Sequence, residues 1–170
     1  YVLTVVQQPQ RARMCGFGEK DRRPVDPPPV VQLSVLDERN NRDEQMERSP
    51  FFIVHVTLSA TTTRVMMGTL VSSPSVLKDD RGATGCFFCF PDLSIRCEGS
   101  YRLRFTLVRL NEYDGEEPEC NGRVVAEVDS DPFTVYSAKR FPGMTESTDL
   151  SKAFARQGLK IPIRNDVRKR

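Results

Sequence analysis

The chain offers a single imidazole, His55, set in the run Phe52-Ile53-Val54-His55-Val56-Thr57. The alternation around it reads as a strand, where a lone histidine is a sheet-face or core residue. Serine or cysteine nucleophiles would need a base, and no second histidine is present to serve as one. Paired carboxylates occur only in acidic stretches such as Glu116-Glu117, where water holds them ionised and untuned. No catalytic constellation results: the chain is not expected to be an enzyme, and no small-molecule substrate is expected. Cys86-Phe87-Phe88-Cys89 has the spacing of a metal knuckle, which Cys97 and Cys120 could nominally complete. Four-thiolate sites present two close pairs, whereas Cys97 and Cys120 are far apart in sequence. On a strand Cys86 and Cys89 also project to opposite faces. No metal, no cofactor and no Cys86–Cys89 disulfide are expected; stoichiometric zinc in the purified protein would favour a metal or redox reading instead. Gly16-Phe17-Gly18 lacks the third glycine, the strand-to-helix context and the lysine of a nucleotide loop.

One constellation remains. Arg11, Arg13, Lys20, Arg22 and Arg23 surround the two glycines, in a segment that ends in Pro24 and Pro27-Pro28-Pro29. Such a loop can approach a phosphate backbone and enter a groove. Its plainer reading is a solvated loop in which Glu19 and Asp21 offset part of the charge. Along the chain the net charge of +2 is strongly divided. Residues 9–24 carry five basic and two acidic side chains, and residues 152–170 carry seven and one. Residues 111–131 reverse the balance, with eight acidic and one basic. A fold could therefore gather a positive face for a polyanion.

The elements that must position these residues are mostly strands. Hydrophobic residues at 38% and charged residues at 28% match soluble globular chains and disfavour wholesale disorder, and 170 residues suggest one domain. Phe51 to Leu58, the longest apolar candidate, is broken by His55 and Thr57, so no membrane span is expected. No basic stretch, apolar core and cleavage site opens the chain at Tyr1, and five cysteines are an odd number. A secretory leader and a disulfide framework are therefore not expected, and a reducing compartment is. In Tyr101 to Leu107 the residues Tyr101, Leu103, Phe105 and Leu107 share one face and Arg102, Arg104 and Thr106 the other. Similar alternation marks Tyr1–Val6, Val30–Leu36, Phe51–Ser59, Val65–Val71, Thr84–Phe90, Arg123–Val128 and Phe133–Ser137. Short strands with no helical period between them predict a mainly β, immunoglobulin-like antiparallel sandwich. Residues 7–29 read as a long loop, stiff at its end; Asp37 to Pro50 and Asn111 to Gly122 read as solvated excursions without chemistry. Thr148 as N-cap, Asp149 in the first turn and Gly158 as the stop predict a short helix over about residues 148–157. The alternation of Leu159, Ile161 and Ile163 predicts an edge strand over residues 159–164, with Pro162 confining it to a sheet edge.

Longer strings add a resemblance. Gln7-Gln8-Pro9, Arg11-Ala12-Arg13, Cys15-Gly16-Phe17-Gly18, Lys20-Asp21-Arg22-Arg23-Pro24 and Pro27-Pro28-Pro29 resemble the opening of the velvet family of fungal regulators. Phe141-Pro142-Gly143-Met144-Thr145-Glu146-Ser147-Thr148, with Leu150-Ser151 and Gln157-Gly158, is similar to that family's closing signature. Gly68 to Pro74 and Gly85 to Leu93 look most like its spore-viability (VosA) or VelC subtypes. The resemblance implies a sandwich similar to the Rel homology domain. It also implies a nuclear, sequence-specific regulator of fungal development, sporulation and secondary metabolism, binding double-stranded DNA as a homodimer or as a heterodimer with another velvet protein. Carried over residue by residue, the DNA-contacting loop corresponds to Lys20, Arg22 and Arg23, with Arg11 and Arg13 as its approach; Lys139 and Arg140 are added as basic residues before the closing signature. A protein-interaction scaffold that does not read DNA is the alternative, and salt-sensitive duplex binding separates the two.

Overall fold

The computed structural model describes residues 1–18, 22–59, 65–110 and 122–165. In chain order the elements are β1 (Val2–Gln7), β2 (Arg11–Arg13), β3 (Val30–Ser34), α1 (Glu44–Glu47), β4 (Phe52–Leu58), β5 (Met66–Met67), β6 (Val71–Ser72) and β7 (Ser75–Lys78). There follow β8 (Thr84–Cys89), β9 (Ser94–Ile95), β10 (Gly99–Tyr101), β11 (Leu103–Leu110), β12 (Gly122–Asp129), β13 (Phe133–Tyr136) and α2 (Asp149–Arg156). Among the described residues no helix is long and apolar enough to cross a membrane.

Two four-stranded antiparallel sheets, ordered β1-β3-β8-β7 and β12-β11-β4-β6, form the immunoglobulin-like sandwich. Period-two alternation sends Phe52, Val54, Val56 and Leu58 of β4 and Leu103, Phe105 and Leu107 of β11 inward. Leu3, Val31, Leu33, Cys86 and Phe88 of the opposite sheet meet them in the main core. Polar residues face out: Arg104 pairs with Asp129 at 2.8 Å, and Thr106 donates to Glu127. His55 lies on this outer face, in register with Thr106 and Val71.

A second, smaller cluster lies on the outer side of the first sheet, where α2 covers Val30, Phe87, Leu77 and Cys89 with Leu150 and Phe154. The helix forms as its sequence directs. Thr148 accepts a hydrogen bond from the Ser151 amide, Asp149 and Arg156 match the dipole, and Gly158 leaves the helix at φ +95. Phe154 is fully buried, its ring 4.8 Å from that of Phe87. Replacing it with leucine should cost about 1 kcal/mol, because most of the volume is kept; urea denaturation measures the difference. Gln157 receives the Lys78 amide at 2.8 Å and donates to the Lys78 carbonyl at 2.7 Å, closing the backbone of edge strand β7.

Several expectations are corrected. Residues 159–164 form no strand: Ile161 and Ile163 pack against Phe154 and its neighbours, so their alternation reflects a segment laid over the helix and sheet. The span Val65–Val71 divides into β5 and β6, because Gly68 turns the chain at φ +107. Residues 7–29 are not one loop, since β2 lies within them and pairs parallel to β13, the exception in an otherwise antiparallel set. Asp37 to Pro50 is more than a solvated excursion. It contains α1, whose Glu47 is 3% exposed, accepts the Val35 amide at 3.1 Å and is gripped by Arg42 at 2.6 Å. Of Asn111 to Gly122, residues 111–121 lie outside the described residues.

Cys86 and Cys89 face opposite ways, one into the main core and the other into the second cluster. Burial pushes both thiols up to about 12. From an ordinary value near 9, that shift leaves roughly 1,000-fold less thiolate at pH 8. Both should resist a disulfide reagent in the folded protein and react within minutes once it is unfolded. By linkage, the folded state holds these protons between pH 9 and pH 12 while the unfolded chain releases them. Their contribution is therefore complete below pH 9 and is lost as pH rises toward 12.

Candidate nucleic-acid interface

The basic segment is a closed excursion with a defined neck. The Asp26 carbonyl accepts from the Gln10 and Arg11 amides at 3.1 and 3.0 Å, and the Asp26 amide donates to the Arg11 carbonyl at 2.9 Å. Asp26 is 2% exposed, and its carboxylate is fully engaged. One oxygen takes the Arg164 guanidinium at 2.7 Å; the other takes the amide and hydroxyl of Thr145, both at 2.7 Å. The neck is thereby tied to the segment that flanks α2.

A second polar knot holds the end of β1. The Gln7 side-chain amide donates to the Pro28 carbonyl at 2.7 Å and to the Ser151 hydroxyl at 2.9 Å, while its carbonyl accepts from Thr148. Gln7 is buried, so each of these bonds satisfies a group that would otherwise be left dry.

From the neck the chain runs out as β2. Ala12 is completely buried, so Arg11 and Arg13 lie on the other face of the strand, half-buried. Pairing with β13 sets Arg11 beside Thr134 and Arg13 beside Tyr136, and the Met14 amide donates to the Tyr136 carbonyl at 2.8 Å. Because the pair is parallel, the turn after β13 leaves from the same end as the loop after β2. Lys139 and Arg140 sit exposed in that turn, which is closed by the Arg140 amide on the Ser137 carbonyl at 3.1 Å.

Both limbs of the excursion then dock on residues 92–96. On the outgoing limb, the Cys15 and Gly16 amides donate to the Ile95 and Arg96 carbonyls at 2.9 and 3.1 Å. On the return limb, the Val25 amide donates to the Leu93 carbonyl at 2.7 Å, and Ser94 donates to the Arg23 carbonyl at 3.2 Å. Arg22 and Arg23 are exposed, with the Arg22 guanidinium 3.5 Å from the Asp92 carbonyl. Lys20, with Glu19 and Asp21, lies outside the described residues. The platform under the loop is itself braced: the Asp92 carboxylate accepts the Thr69 amide at 3.0 Å and its hydroxyl at 3.1 Å. A Cβ on Gly68 would stand 2.3 Å from the Asp92 carbonyl oxygen, at a φ of +107. Gly68→Ala should therefore cost about 1–3 kcal/mol from backbone conformation alone, with a further loss from displacing Asp92; a shifted denaturation midpoint would show it.

The structure thus joins Arg13, Lys139 and Arg140 at one strand end, and places Arg22 and Arg23 on the return limb beside the 92–96 platform. Arg11 sits lower, at the neck. Sequence reasoning missed Arg96, whose guanidinium carbon lies 5.1 Å from the centre of the Phe17 ring. Nothing near it in sequence marks it, because tertiary pairing brings it to the loop. It also missed Asp26 as the residue that closes the neck; the only local signal was an acid set among prolines. Among the described residues no cluster of three or more His, Cys, Asp or Glu side chains could hold a metal ion.

The family model described as "Velvet factor" matches residues 1–62 and 58–167, nearly the whole chain. The chain belongs to the velvet family. It is 41% identical over 191 residues to the sexual development regulator umv3 of Mycosarcoma maydis, covering all of the chain and 46% of that protein. It is 44% identical over 180 residues to the sexual development regulator VELC of Pyricularia oryzae, covering 96% of the chain and 40% of the relative. With the developmental and secondary metabolism regulator VEL1 of Botryotinia fuckeliana the identity is 42% over 208 residues, covering 100% of the chain and 36% of that protein. The velvet chain spans less than half the length of these relatives, which are named as regulators and not as enzymes. The strings that carried the resemblance have structural work. Gln7 and Thr148 knot β1 to α2, and Thr145 binds Asp26. Ser147 accepts the Arg164 amide at 2.8 Å.

Proposed function

We propose that this velvet chain reads double-stranded DNA, as part of a nuclear regulator of fungal development, sporulation and secondary metabolism that works as a homodimer or as a heterodimer with another velvet protein. The observation that carries the reading is the bracing of the basic loop. Its neck is closed by backbone hydrogen bonds between Asp26 and residues 10–11, and its limbs are held by hydrogen bonds to residues 93–96 and to β13, so Arg22 and Arg23 are offered from a braced support beside the turn that bears Lys139 and Arg140. A merely solvated charged loop needs no such bracing. Arginine presents a planar fork matched to guanine O6 and N7, whereas lysine is a compact charge suited to the backbone. Arg22 and Arg23 are therefore assigned to base edges and Lys20 to phosphate, with Arg11, Arg13, Lys139 and Arg140 completing the positive surround.

Dimerisation rests on family membership alone, since Leu159, Ile161 and Ile163 pack within the molecule and supply no free edge. Light scattering at tens of micromolar, with and without a second velvet protein, tests it. For DNA the experiment is selection of duplexes from a random pool, followed by anisotropy titrations of single variants at several salt concentrations. Arg22→Ala or Arg23→Ala is expected to cost about 1–3 kcal/mol and to relax sequence preference. Lys20→Ala should weaken all duplexes alike and lower the magnitude of the log affinity against log salt slope by about 1. If the folded parent selects no duplex, the interaction scaffold becomes the better account.

A further inference from the structure

Among the described residues Phe17 is the most exposed large apolar side chain, at 79% of its surface, yet it stands on the outgoing limb of the loop just beyond the residues that pin it. A ring left in water on a mobile loop would be unremarkable. Here the two residues before it are bonded to the Ile95 and Arg96 carbonyls, and the ring rests over the Arg96 guanidinium at 5.1 Å. Arg96 has no ion-pair partner among the described residues, and its Nε is buried without a hydrogen-bond acceptor. The fold thus keeps a half-buried guanidinium under an aromatic face, which orients the ring, and leaves the other face to solvent. On either side, Gly16 and Gly18 have open space where a Cβ would be, so the backbone here can approach a ligand closely.

We infer that Phe17 is a DNA-contacting residue that enters a groove of the duplex and packs on sugar and base surface, with Arg96 as its positioning residue. The inference rests on the DNA-reading proposal above and extends it from charge to an apolar contact. The surroundings select this occupant: Arg22 and Arg23 on the adjoining limb and Lys139 and Arg140 on the neighbouring turn draw a polyanion. A duplex presents its apolar surface, the sugars, thymine methyls and base steps, inside its grooves. An arginine-flanked aromatic on a pinned limb matches that arrangement of charge outside and apolar surface within.

The chain contains no tryptophan, so Phe17→Trp places a single tryptophan, excited selectively over the tyrosines, at this position. With a duplex selected by the parent protein, its emission is expected to be quenched along the same curve that anisotropy of labelled duplex gives for binding. Phe17→Ala should weaken binding about 5- to 100-fold, in the range of a lost aromatic contact to a base. Its salt slope should not change, because the ring releases no counterion. In the Phe17→Trp background, Arg96→Gln should lower the emission anisotropy of the free protein by freeing the ring. Tryptophan emission indifferent to a duplex that the same variant demonstrably binds would overturn the inference while leaving the DNA reading intact, as would parent-like affinity of Phe17→Ala. A parent protein that binds no duplex by either readout would overturn both.

Discussion

Asp26→Ala is expected to lower folding stability by about 3–5 kcal/mol, because removing one partner of a buried ion pair leaves the other uncompensated. Asp26 is 2% exposed and holds Arg164 at 2.7 Å, and the Arg164 side chain is itself only 30% exposed. The same substitution strips the Thr145 amide and hydroxyl of their acceptor, adding two unsatisfied donors at the point where the loop closes. Asp26→Asn keeps one acceptor oxygen and should lose less than the alanine variant. The measurement is urea denaturation of both variants with the slope compared, so that a change in compactness is not mistaken for a change in stability. A loss below about 1 kcal/mol for Asp26→Ala would mean that the carboxylate is not holding the neck. The functional consequence is indirect. A loosened neck frees the limbs that carry Arg22 and Arg23, so Asp26→Asn should also bind duplex more weakly while leaving the basic residues untouched.

The sandwich was legible wherever a strand had one wet and one dry face over several residues, as in β4 and β11, where pattern and burial coincide. The helix was legible from Thr148, Asp149 and Gly158, since capping chemistry is local. What escaped was set by tertiary contact. β2 and β9 are three and two residues long, too short to alternate, and exist because β13, β5 and the loop limbs pair with them. Residues 159–164 alternate as a strand would, but what their apolar side chains meet is α2 and the sheet beneath it, and among the described residues they pair with no strand. Glu47 reads as one more acid in a charged stretch, and only the fold turns it inward toward the Val35 amide. At the candidate site the residue types were readable and their support was not. Arginine and glycine mark a loop suited to phosphate, whereas the Asp26 neck, the Asp92 brace and the Arg96 support depend on partners dozens of residues away.

The largest effect on binding is expected for the triple variant Lys20→Ala, Arg22→Ala and Arg23→Ala. Two base-reading arginines at about 1–3 kcal/mol each, with one phosphate contact in addition, amount to an affinity loss of more than about 100-fold. Folding should be spared, because Arg22 and Arg23 are exposed and the contact of the Arg22 guanidinium with the Asp92 carbonyl is a long one, at 3.5 Å. The residual affinity should come from Arg11, Arg13, Lys139 and Arg140, be weaker in salt dependence and show little preference among sequences.

The central claim is that the braced basic loop reads duplex DNA, and the direct measurement is the affinity of parent and triple variant for a parent-selected duplex across a range of salt. The parent is expected to show a steep salt slope and sequence preference. A triple variant whose circular dichroism is unchanged should lose sequence preference, much of the salt slope and more than about 100-fold in affinity. A folded triple variant that binds the selected duplex with the parent's affinity, slope and preference would contradict the claim.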